Sequence, residues 1–183
     1  VLRFEVDRID PCIWRVVRVP GDLHLSDLHR VLQMVLGWTD RRGHAFEIQD
    51  RTPLTARRGT APCCARGAAI DECRTITDTL AAAHDAFVYH YDDDLKWRVR
   101  ISRAPGVWRG KTKAPIACLD GYLAGPREDS GGPEAYSEVL AATLGRGPRL
   151  TPAQVAWLGP DFDPERFDRS GVNRALAAMT RKN

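Results

Sequence analysis

The pattern of apolar positions predicts a chain of short strands interrupted by one strong helix. Leu2, Phe4 and Val6 alternate with Arg3, Glu5 and Asp7, so residues 2–9 read as a first strand. Asp10–Pro11 makes a turn, and Ile13, Val17 and Val19 mark a second strand over 12–19, left through Pro20–Gly21. The two form an antiparallel hairpin. Between 26 and 36 the apolar residues are Leu28, Val31, Leu32, Val35 and Leu36, the spacing of one buried helical face. Ser26 suits the N-cap of that helix and Gly37 its left-handed C-terminal residue. His44, Phe46 and Ile48 then alternate with Ala45, Glu47 and Gln49, a half-buried strand. A helix with one greasy stripe set between strands must lay that stripe on a sheet.

Residues 51–75 combine Pro, Gly, Ala and Arg without periodicity and read as a long surface loop. Residues 77–84 are a short helix candidate. A second hairpin follows. Phe87, Tyr89 and Tyr91 alternate with Val88 and His90, Asp92–Asp93–Asp94 turns the chain, and Leu95, Trp97, Val99 and Ile101 alternate with Lys96, Arg98, Arg100 and Ser102. Beyond Pro133 the pattern is helical. A helix over 134–144 ends at Gly145, and Thr151–Pro152 starts another to Leu158. Asp163–Pro164 repeats that device through Phe167, and Ser170 caps a last helix with Val172, Leu176 and Met179 on one face. The fold class is therefore α+β. A mostly antiparallel sheet from two hairpins and a central strand is packed by one core helix and followed by a helical C-terminal segment. Residues 1–183 read as one domain, with 134–183 as a helical tail packing on it.

Several of these residues carry a resemblance. Pro11, Ile13, Trp14 and Arg15, the pair Leu28–His29, Gly37–Trp38, and His44 with Phe46 form its first part. Tyr91–Asp92, Trp97, Glu128–Asp129, Gly131–Gly132–Pro133 and the block from Trp157 to Pro164 extend it over nearly the whole chain. In these motifs the sequence resembles the plasmid pRiA4b ORF-3-like family, which includes the passenger TnpR proteins of some insertion elements. The resemblance implies this fold and a plasmid or mobile-element setting. No recombinase signature accompanies it. Two departures from the family's pattern stand out. Gly125 and Ser130 occupy positions where cysteines are typical, so a thiolate site of relatives is lost and no bound zinc or other metal is expected. In the second hairpin Asp94, Leu95 and Val99 replace a glycine, an aspartate and a histidine. Glu128–Asp129 ahead of Gly131–Gly132 reads as an Asx-type turn into the following helix.

Composition and charge narrow the classes. The chain has 183 residues, a net charge of +3 and no apolar run approaching a membrane span. It enters a strand at once, without a visible signal peptide, and its five cysteines lack framework spacing. Reduced thiols in the cytoplasm are the expectation. There is no phosphate-binding glycine loop, no HExxH and no GxSxG, so no cofactor is indicated and enzyme status stays open.

Two constellations remain. His29 and Gln33 share a helix edge, and His44 begins the next strand; two histidines suit a metal or proton transfer. The competing and favoured reading is that each imidazole satisfies a local partner, because spacing places no third ligand. The second constellation is a basic strip: Lys96, Arg98, Arg100, Arg103, Arg109, Lys111 and Lys113, with no acid between 95 and 119 and Trp108 alongside. It is a candidate phosphate-binding row for DNA or RNA. The alternative pairs it with the preceding acidic window (Asp71, Glu72, Asp78, Asp85, Asp92, Asp93, Asp94). The sequence thus supports first a non-catalytic accessory module that binds a protein partner or nucleic acid, without a membrane. It supports second a divergent enzyme or metal-binding protein using His29, His44, Asp92 and Glu128.

Overall fold

The computed structural model describes residues 1–48, 52–56, 73–94, 96–106 and 114–180. Their strands are β1 (Leu2–Val6), β2 (Trp14–Arg18), β3 (His44–Ile48), β4 (Thr52–Ala56), β5 (Ala86–Tyr91), β6 (Trp97–Arg103) and β7 (Ala117–Tyr122). The helices are α1 (Leu25–Leu36), α2 (Ile76–Ala82), α3 (Pro133–Thr143), α4 (Pro152–Leu158) and α5 (Arg169–Thr180). The strands form a seven-stranded sheet in the order β4-β3-β5-β6-β1-β2-β7. Every pairing in it is antiparallel. Both predicted hairpins are present: β1 pairs with β2 and β5 with β6.

One face of the sheet packs on helices. Phe4, Val17, Phe46, Phe87, Tyr89, Tyr91, Trp97, Val99 and Ile101 point to it and are buried. Leu28, Val31, Leu32 and Val35 of α1 cover them, the stripe that the sequence marks. The helical C-terminal segment joins the same cluster through Tyr136, Leu140, Leu176 and Met179. Among the described residues no helix is long and apolar enough to cross a membrane.

Several local expectations are corrected. Helix α1 is capped two residues early: His24 is its N-cap, without a side-chain cap bond, and Ser26 lies inside the first turn. Gly37 ends it at φ 77°, as its position predicts. Part of the 51–75 loop is strand β4, an edge strand that tolerates Pro53 because its outer side needs no backbone donor. Strand β7 is absent from the sequence reading, since its run has no clean alternation. Residues 164–167 do not form a helix; the Asp163 carboxylate instead accepts from the Glu165 backbone N–H in a turn. Asp168, not Ser170, caps α5, accepting from the Gly171 backbone N–H at 2.8 Å. Cys73 is disulfide-bonded, against the expectation of reduced thiols throughout, while Cys12 and Cys118 are free. Thr151 does cap α4, in a full capping box with Gln154.

Candidate metal centre at the helix–sheet seam

At the end of α1 the buried stripe gives way to a polar cluster. His29 and Gln33 lie one turn apart on the helix edge facing β5 and β3. Tyr89 on β5 rises between them, and His44 opens β3 beside it. The residue that completes the cluster is Asp40, in the turn joining α1 to β3.

The hydrogen bonds close a ring. The Asp40 backbone N–H donates to Gln33 Oε1 at 2.8 Å, which fixes the amide's orientation. Gln33 Nε2 then donates to the Tyr89 hydroxyl at 3.0 Å. Tyr89 Oη lies 2.7 Å from His29 Nδ1, and His29 Nε2 lies 2.9 Å from Asp40 Oδ1. A carboxylate only accepts, so His29 carries its proton on Nε2 and accepts a hydrogen bond from the Tyr89 hydroxyl at Nδ1. Each polar atom named has its partner, as a buried network requires. Burial lowers the His29 pKa, opposed by Asp40, and burial raises that of Tyr89. His44 stacks face to face on His29, with ring centroids 3.6 Å apart and planes 5° from parallel.

His29, Asp40 and His44 each offer one ligand atom, and these atoms lie within 4.8 Å of one another. A four-coordinate ion with bonds of about 2.0–2.1 Å holds its donors about 3.3 Å apart. The His29–Asp40 edge is already near that spacing. The His44 lone pair lies in a plane parallel to the His29 ring, so that ring must turn for all three groups to bind one ion. Asp40 is the exposed member of the set: the His29 side chain is 6% accessible and that of Asp40 60%.

The turn that presents Asp40 is fastened from both flanks. Trp38 stacks on Tyr91 at 4.8 Å and donates to the Pro126 carbonyl at 2.9 Å. Glu128 accepts from the Thr39 backbone N–H and hydroxyl and from the Tyr91 hydroxyl. These bonds outweigh its partial burial and hold its carboxyl below the usual range. The Arg41 backbone N–H donates to Tyr91 Oη at 3.1 Å, and the Gly43 carbonyl accepts from the Asp92 N–H at 2.9 Å. Asp129 accepts from the Trp157 indole at 2.9 Å. Glu128 and Asp129 do occupy a turn, closed by the Ser130 N–H donating to the Arg127 carbonyl at 3.2 Å, and their side chains are long-range tethers as well. Gly125 before them touches α1 so closely that a Cβ would lie 1.9 Å from the Leu36 carbonyl oxygen.

Other marked residues sit elsewhere. Arg15 is buried on the helix-facing side, donating to the carbonyls of Val35, Trp14 and Tyr122, with Phe167 stacked on its guanidinium at 3.9 Å. Burial lowers its pKa to about 10. Trp97 is core, and Asp92 is buried, paired with Arg42 at 3.5 Å. Trp14 lies on the open sheet face, stacked on Tyr122 and covered by Arg3. Arg98 and Arg100 point to that open face, opposite Trp97, Val99 and Ile101. Their neighbours are acidic: Arg98 pairs with Asp7 at 3.6 Å, Arg3 with Glu5 at 2.8 Å and Arg103 with Asp85 at 2.5 Å. Lys96 sits in the hairpin turn at φ 56°. Leu95, Trp108, Arg109, Lys111 and Lys113 lie outside the described residues.

The sequence profile described as plasmid pRiA4b ORF-3-like protein matches residues 1–171. The chain belongs to that family. An uncharacterized protein, y4hQ, of Sinorhizobium fredii (strain NBRC 101917 / NGR234) is 28% identical over 186 residues, 99% of this chain and 92% of that protein. A crystal structure of MM3350 from Methanosarcina mazei Go1, titled a protein of unknown function, superposes with a TM-score of 0.71. It is 28% identical, and the match covers 92% of this chain and 94% of that one. These relatives establish the family and the fold and assign no activity.

Proposed function

We propose that this family member is a metal-binding protein whose centre is formed by His29, Asp40 and His44. The observation that carries the reading is the convergence of their three ligand atoms within 4.8 Å at a seam where Asp40 is exposed. Two imidazoles and a carboxylate suit zinc, iron(II), cobalt(II) or manganese(II) rather than a soft, thiolate-preferring ion. Three protein ligands, one of them exposed, match a site that exchanges a further ligand, whereas structural zinc sites are closed by four. The ion would replace the proton between His29 Nε2 and Asp40 Oδ1. Tyr89 would then accept from Nδ1–H and orient the ring from behind, as outer partners of metal-bound histidines do.

Spacing in the sequence places no third ligand, and the cysteines typical of relatives are replaced. Asp40 supplies the ligand without any cysteine. A nucleic-acid role for the strand face is the weaker reading, because two arginines on that face, Arg3 and Arg98, each have an acidic partner. Exposed pairs of this kind leave little net field for a phosphate row.

The test is cobalt(II) and zinc titration of the full chain stripped of metal, followed by elemental analysis after gel filtration. About one equivalent per chain is expected in the wild type, with binding lost in His29→Ala and His44→Ala. Failure of the wild type to retain either ion overturns the reading.

A further inference from the structure

We draw no further inference here: the strongest candidate, the open face of the sheet where Trp14 stacks on the exposed Tyr122 beneath Arg3, has its cations Arg3 and Arg98 already paired with acids, and nothing in the structure shows what covers it.

Discussion

Replacing Tyr89 by phenylalanine removes one oxygen from the centre of the hydrogen-bonded ring. Tyr89 is fully buried, so no water takes the hydroxyl's place without entering the core. The oxygen serves two partners, Gln33 Nε2 at 3.0 Å and His29 Nδ1 at 2.7 Å. Both are left unsatisfied in buried surroundings, at about 1–3 kcal/mol each. Gln33 keeps its other bond, to the Asp40 N–H, so the amide cannot turn away to find water without a further loss. The expected cost of Tyr89→Phe is therefore about 2–6 kcal/mol, a large share of the stability of a domain this size. Gln33→Leu in the same background takes away one of the two orphaned groups. The double variant should be more stable than the sum of the singles implies, with a coupling of about 1 kcal/mol or more. Urea denaturation followed by far-ultraviolet circular dichroism measures all three, provided the m-value stays constant. A Tyr89→Phe cost below about 0.5 kcal/mol, or strict additivity with Gln33→Leu, would show that the ring is not formed as described.

The other expectations rest on separate contacts. Leu32→Ala empties a fully buried position of α1 against the sheet and should cost about 2–5 kcal/mol in the same urea assay; an unchanged midpoint would place this face of the helix elsewhere. Asn173 on α5 accepts from Cys118 N–H at 2.8 Å and donates to the Cys118 carbonyl at 2.9 Å, so its side-chain amide covers the outer edge of β7. Asn173→Ala should expose that edge and give concentration-dependent association in light scattering, and a variant that stays monomeric at high concentration would refute the covering role. Burial pushes the Cys118 thiol up to about 11, leaving about one thiolate in a thousand at pH 8. Under native conditions iodoacetamide should label the half-exposed Cys12 well before Cys118; peptide mass spectrometry showing equal labelling would contradict the burial of β7.

What the sequence discloses follows how locally each feature is encoded. The stripe Leu28, Val31, Leu32, Val35 and the alternation through Trp97, Val99 and Ile101 are written in consecutive residues, so period alone finds them. Strand β7 escaped because its backbone needs are met at a distance. It pairs with β2 through a register shift at Val16/Val17, and its free edge is closed by Asn173 and by Arg169, which donates to the Leu119 carbonyl at 2.7 Å. No side-chain alternation is demanded of such a strand. The failed helix at 164–167 has the opposite cause. The Asp–Pro signal is real, but the Asp163 carboxylate spends itself on a turn, and the Pro164 carbonyl accepts from Ala124 N–H at 2.8 Å. A tertiary bond has replaced the one a helix would make.

The site was half visible for the same reason. His29, Gln33 and His44 announce themselves by spacing, whereas Asp40 is one of many aspartates in polar turns and carries no local mark. Its role is created by the tether at the far end of the chain. Glu128 grips Thr39, Trp38 reaches Pro126, and Tyr91 fastens Arg41, so the turn has one shape, with Asp40 at φ 55° and its carboxylate on His29. The motif pair Glu128–Asp129 thus acts on the cluster without belonging to it. Metal affinity should then respond to Glu128 through the position of Asp40 rather than through charge at the ion. Glu128→Gln, which cannot accept at both oxygens, should loosen the turn and weaken cobalt binding by about tenfold or more, in the range seen for outer-sphere partners. Cobalt affinity unchanged in that variant, with the fold intact, would mean that Asp40 is held by Gln33 and His29 alone.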